Sequence, residues 1–338
     1  MDWNAMTMWL IGGVLLCGLV PLAAREIRWR RFSIPEGCRN LGPCNPTRPV
    51  AGEPVIVDDK LSIVLPIKIR VHHQHSELER VQRLLLPSIQ KFLALDDVHE
   101  FLIIAAPGDI EEVRKGVESF ATPLRIRVLA DTDLVPRVEG MKSGWAKQQI
   151  LKLAAANLVQ TKHYLVFDAD NLMVSPAGFE QLCPGGRARV TYEPYRIHSG
   201  WYRGSARVLR YEIDFERDDS VLGVTPQILH TDICRKLQRE IEIRNGKAPW
   251  ECLLARYRGW SEYTLYWLYM LKHYDAAELY DDTVPLHREC IWHGADELTP
   301  EFIERLFDSG DVPFTVFQSR IRNLGIGDIH GLVRPFLK

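Results

Sequence analysis

The chain has 338 residues, 46 % hydrophobic and 25 % charged, a balance that supports a sizeable core and excludes a disordered, collagen-like or multi-span membrane protein. Forty-two basic against 44 acidic residues leave a net charge of −2, so no positive surplus points to nucleic acid and no nucleic-acid partner is expected. The seven cysteines include no Cys-x-x-Cys pair, which is neither a disulfide framework nor a zinc site; Cys38 and Cys44, the two close in sequence, read as free thiols.

Residues 5–24 carry no charged side chain. A run of that length covers roughly 30 Å as a helix, the thickness of a hydrocarbon core, and reads as one transmembrane anchor. No Lys or Arg precedes it, as the start of a cleaved signal would require, so the anchor is expected to be retained. Arg25, Arg28, Arg30 and Arg31 follow it, and the positive-inside rule leans the rest of the chain toward the cytoplasm, with a lumenal or extracytoplasmic domain as the alternative. Residues 25–60 read as a basic flank and a stem rich in Pro and Gly. A globular unit is expected over 61–320, and 321–338 reads as a C-terminal tail.

Within the globular unit, the apolar run 61–67 predicts a strand buried on both faces. Ser76 and Glu79 have capping-box form ahead of a helix with Leu78, Val81, Leu85 and Phe92 on one stripe. Further strands are expected over 101–107, 124–130 and 163–170, with helices over 110–120 and 145–158 between them. That alternation means an α/β unit with a mostly parallel sheet, whose ligands bind beyond the carboxyl ends of its strands. The strand over 163–170 ends in Asp168-Ala169-Asp170. Strand alternation would send both carboxylates to one side, where they can reach one hard cation, Mg²⁺ or Mn²⁺, that also takes substrate phosphates.

At this point the chain resembles the GT-A glycosyltransferases, the nucleotide-sugar-dependent class with a D-x-D metal motif. The segment Gly144-Trp145-Ala146-Lys147-Gln148-Gln149-Ile150-Leu151-Lys152-Leu153, followed by strand and D-A-D, is similar to that of an uncharacterised bacterial family of predicted glycosyltransferases. Trp201–Ala206, Gly223–Pro226, Trp260–Tyr266 and Trp292–Gly294 extend the resemblance over roughly 61–320.

The resemblance implies a GT-A fold and metal-dependent transfer of a sugar, of hexosyltransferase type, from a nucleotide-sugar donor to a saccharide, lipid or protein acceptor. It implies that Asp170 binds the metal and Asp168 the metal or the ribose, that Lys147 and Gln148 face the nucleotide, and that His293 is a late metal ligand. Glu262, in the first turn of a helix opened by Ser261, is the candidate general base, with Glu193 and Asp214 behind it. Trp201, Tyr202 and Trp260 are candidate acceptor platforms, because sugar C–H faces pack on aromatic rings. Two other functions remain open. A nucleotidyltransferase would want a Gly-rich loop after the first strand, which residues 67–73 lack. A non-catalytic, membrane-tethered saccharide-binding protein would have no use for the acids.

Overall fold

In the computed structural model of the protein, residues 56–69, 76–118, 120, 123–141, 143–288, 291, 298–308, 310–318 and 325–338 are described. The anchor expected at 5–24 and nearly all of the stem lie outside them, as does His293. Among the described residues, no helix is long and apolar enough to cross a membrane.

The apolar runs form the strands expected of them. β1 (Val57–Pro66), β2 (Val98–Ala105), β3 (Ile126–Ala130) and β4 (Thr161–Val166) make a parallel sheet in the order β3-β2-β1-β4. β1 starts at Val57, four residues earlier than its apolar run, because Asp58, Asp59 and Lys60 extend it while keeping their side chains at the surface or its edge. Ile63, Val64 and Leu65 are wholly buried, worth about 1.5–3 kcal/mol apiece relative to exposure. The sheet ends on a strand that alternation did not reveal. β9 (Gln227–His230) runs antiparallel to β4, with His163 opposite His230 and Val166 opposite Gln227.

Helical crossovers join the parallel strands. After β1 come α1 (Glu77–Arg80), a π-helical turn over Val81–Leu85 and α2 (Leu86–Phe92). Ser76 precedes α1 but makes no side-chain cap bond, and Glu79 pairs with Arg83 (2.8 Å) instead of reaching back. α3 (Ile110–Glu118) follows β2, burying Val113 and Val117. α4 (Gly144–Ala154) follows β3, with Ser143 Oγ accepting from the Ala146 N–H (3.3 Å). The chain thus builds outward through β2 and β3, then returns to place β4 on the other side of β1.

The second half covers this sheet and adds a smaller core. β5 (Asn171–Met173) follows β4; then come the two-residue β6 (Ala188–Arg189), β7 (Tyr192–Pro194), α5 (Tyr195–Leu209) and β8 (Ser220–Leu222). β7 and β8 pair antiparallel. After β9 come α6 (Thr231–Arg244), α7 (Trp250–Arg256), α8 (Glu262–His273) and β10 (Tyr280–Asp281), which pairs with β6. The hydroxyl of Thr231, the first residue of α6, donates to the Thr161 carbonyl (2.6 Å) and ties the helix to β4. α9 (Pro300–Phe307), β11 (Phe314–Val316) and α10 (Ile326–Val333) complete the chain, with β11 antiparallel to β5. Ile326, Ile329 and Val333 pack with Leu172, Ile303 and Phe317 in the second core, so this segment is part of the domain rather than a detached tail.

Cys183 and Cys234 are buried free thiols, whereas Cys252 is held in a disulfide that the cysteine spacing did not suggest.

Candidate active site

β1 and β4 are neighbours whose outgoing chains diverge, one toward β2 and the other toward β5. Such a switch point leaves a crevice beyond the carboxyl ends of the two strands. Gln148 spans it: its amide nitrogen donates to the Pro66 carbonyl at the end of β1 (3.4 Å) and to Asp168 Oδ1 beyond the end of β4 (2.9 Å).

β4 stops at Val166, so Asp168 and Asp170 stand in a turn and not on the strand, and strand alternation does not orient them. Asn171 closes the turn, its N–H donating to the Asp168 carbonyl (3.1 Å) and its side-chain oxygen accepting from the Asp168 N–H (2.7 Å). The Asp170 carbonyl accepts from the Phe317 N–H (2.9 Å), which ties the turn to the second core.

Lys152 organises the inner wall. It lies on the buried face of α4, 1 % exposed, with Nζ 2.8 Å from Asp168 Oδ1 and 2.9 Å from Glu262 Oε1. Its ammonium also stands 5.3 Å from the centre of the Tyr263 ring. Burial opposes the charge, yet the two carboxylates hold the lysine well above its usual range. Burial pushes the Glu262 carboxyl up while Lys152 pulls it down. Gln149 Oε1 accepts from the Glu262 backbone N–H (3.4 Å).

Glu262 opens α8 as expected, with Ser261 Oγ accepting from the Thr264 N–H (3.2 Å). Its carboxylate is 1 % exposed and engaged by Lys152 at 2.9 Å.

The other expected residues divide. Lys147 is neither solvated nor turned to the crevice's acids; it pairs with Asp131 Oδ2 (2.5 Å) at the end of β3. Tyr202 is buried at 0 %, its hydroxyl on the Leu222 carbonyl (3.1 Å). Trp260 is buried at 1 %, its Nε1–H on the Leu254 carbonyl (3.1 Å). Both rings are core side chains without a face for an acceptor. Trp201 is sandwiched, with Trp145 stacked at 5.6 Å on one side and His198 at 5.1 Å.

Several contributors escaped sequence reasoning. Lys152 was readable only as a lone lysine within an otherwise apolar inward stripe. Glu77, at the start of α1, accepts from the Lys68 N–H (2.5 Å). Burial, with the charges of Asp168 and Asp170 adding, pushes its carboxyl up to about 7. Arg80 is 2 % exposed, donates to the Phe317 carbonyl (2.5 Å) and feels the charges of Asp170 and Glu77. Both stand on α1, where the sequence offered a capping box and no chemical motif. The crevice therefore gathers four carboxylates, Glu77, Asp168, Asp170 and Glu262, and two buried cations, Arg80 and Lys152. Among the described residues, no three His, Cys, Asp or Glu side chains are already grouped to hold a metal.

Residues 58–338 match a family described as "Family of unknown function (DUF6492)". No curated protein matches the chain. Among solved structures the chain is similar to mouse xyloside xylosyltransferase 1 in its apo form, at 12 % identity and a TM-score of 0.44, over 78 % of this chain and 100 % of that one. Agreement at that level is too loose to bear on function.

Proposed function

We propose, for a chain that belongs to the family of unknown function DUF6492, that the switch-point crevice binds a nucleotide sugar and transfers its sugar to a hydroxyl acceptor. The observation that carries this reading is the placement of Asp168 and Asp170. They stand beyond the carboxyl end of β4, where an open parallel sheet binds its ligands, and Gln148 bridges Asp168 to the end of β1. The D-x-D resemblance supplies the class, and a saccharide, lipid or protein acceptor each remains compatible with it.

The donor set fits a hard divalent cation, Mn²⁺ or Mg²⁺. Asp168, Asp170 and Glu77 are all oxygen donors, and burial first, then the charges of the two aspartates, raises the Glu77 carboxyl. Asp168 and Asp170 would hold the ion, with diphosphate oxygens completing its shell. Bound there, a cation neutralises charge on the departing diphosphate. Lys152 and Gln148 occupy Asp168 Oδ1 and fix the direction of its other oxygen. Glu262 acts through Lys152 as a positioning residue. Arg80 sets positive charge near Asp170.

An anchor at 5–24 belongs to the same proposal. Disulfides persist in oxidising compartments, so the bond at Cys252 favours the extracytoplasmic placement over the one the arginine flank suggests. The reading is tested by incubating the protein with UDP- and GDP-hexoses, with and without Mn²⁺, and measuring released nucleoside diphosphate. Metal-dependent release that Asp170→Ala abolishes supports it. Release that survives the substitution with the same metal dependence contradicts it.

A further inference from the structure

We propose that His198, held by Glu193, is the proton acceptor for the incoming hydroxyl, the role that Glu262 is too buried to fill; this rests on the sugar-transfer reading above.

The dyad is built with care. Glu193 leaves β7 and His198 stands in the first turns of α5, with Nε2 2.7 Å from Glu193 Oε2. The Val224 N–H donates to the same oxygen (3.1 Å). Gly223 makes room for this, since a Cβ there would lie 2.8 Å from Glu193 Oε2 and 3.0 Å from the Thr191 carbonyl. Burial opposes ionisation of Glu193, but the His198 bond, the nearby His287 and the Val224 N–H hold its carboxyl below the usual range. An ionised carboxylate only accepts, so Nε2 carries the proton and Nδ1 the lone pair. Among the described residues Nδ1 has no hydrogen-bond partner.

The ring is fixed and keeps a narrow exposed margin. It stacks on Trp201 with centroids 5.1 Å apart and planes 3° from parallel. His198 keeps 10 % of its side chain exposed, against 1 % for Glu262. An imidazolium formed there is stabilised by Glu193 at one edge and by the indole face.

Two routes of contact link the dyad to Gln148 and to the Asp168 turn. Trp201 stacks on Trp145, which is 38 % exposed and lies three residues before Gln148 on α4, on the same face as the residue that holds Asp168. On the other side, Thr225 follows Val224 and donates to Asn171 Oδ1 (3.2 Å), the oxygen that accepts from the Asp168 N–H.

The step is a single displacement. The acceptor oxygen bonds the anomeric carbon as its proton passes to Nδ1. The anomeric C–O bond to the diphosphate breaks, and its electron pair leaves on the diphosphate oxygen. The imidazolium then returns its proton to solvent.

The test uses UDP-glucose, UDP-galactose, UDP-N-acetylglucosamine and GDP-mannose with Mn²⁺, and water or methanol as acceptor. His198→Ala should lower kcat by about 10²–10³, within the usual worth of a general base, while the donor-dependent thermal shift stays as in wild type. Added imidazole should restore part of the rate, which a merely structural loss would not allow. Glu193→Gln should lower kcat less and shift the acid limb of the kcat/KM profile, with KM little changed. A His198→Ala variant of wild-type rate overturns the proposal, as does a loss that imidazole cannot rescue. Donor binding without turnover overturns the base and leaves the donor site standing. A wild-type protein that neither binds nor consumes any of the four donors overturns both readings.

Discussion

The ammonium of Lys152 lies 2.8 Å from Asp168 Oδ1 with 1 % of the lysine side chain exposed. A cation buried this deeply is stable only while its carboxylates remain, and in return it fixes where Asp168 can point. Lys152→Met leaves the buried Glu262 charge without its partner. Urea unfolding should show a loss of about 3–5 kcal/mol. Lys152→Met with Glu262→Leu should recover most of it, because the pair is then replaced by packing. A double variant no more stable than the single one contradicts this account of the pair.

Glu262→Gln separates positioning from base catalysis. The amide keeps the shape but weakens the hold on Lys152, so stability should fall by about 1–3 kcal/mol. Donor hydrolysis should fall less than tenfold. A loss of about 10²–10⁴ in kcat at unchanged donor affinity would return the base role to Glu262.

β1 and β2 emerged because their runs are buried on both faces, which leaves an unbroken apolar signature at Ile63–Leu65 and Phe101–Ile104. β9 was missed because Gln227 and His230 interrupt its short run, although both are buried against β4. The site divides on similar grounds. Acids at the end of an apolar run stand out, so Asp168 and Asp170 were readable. Residue type does not carry depth, so Trp260 and Tyr202 passed for platforms while the exposed Trp145 went unassigned. Lys152 was hidden because its two partners lie 16 and 110 residues away in the chain.

The Trp201–Ala206 motif has a packing cause. A Cβ on Gly204 would lie 1.6 Å from the Gly259 carbonyl oxygen, and Ser205 Oγ meets Thr264 Oγ1 at 2.6 Å, so α5 approaches α8 and its leading loop through small residues. Gly204→Ala must push the backbone aside. The expected cost is about 1–3 kcal/mol or more, seen as a lower Tm. An unchanged Tm would mean the approach is less tight than described.

Two histidines make the fold acid-sensitive. His163 and His230 meet edge to face with centroids 4.3 Å apart between β4 and β9. Burial, with His230 and Lys162 adding, lowers His163 to about 2; burial, opposed by the bond to the Leu279 carbonyl and aided by Lys162, lowers His230 to about 4. The unfolded chain protonates both near 6.5 while the folded protein does not, so stability is lost as pH falls from about 6.5 toward 4. Each histidine contributes roughly 1.4 kcal/mol per pH unit across that window. His163→Leu should flatten the acid limb of a denaturation series relative to wild type; parallel limbs would contradict this.

The central claim is that Asp168 and Asp170 form the donor site, and a thermal-shift titration with nucleotide sugars reads it most directly. With Mn²⁺ present, one donor should raise the stability of a chain starting near Asp58 by about 2.7 kcal/mol at a hundredfold excess over Kd, and Asp170→Ala should abolish the gain. An equal shift in wild type and Asp170→Ala, with or without the ion, would contradict the account.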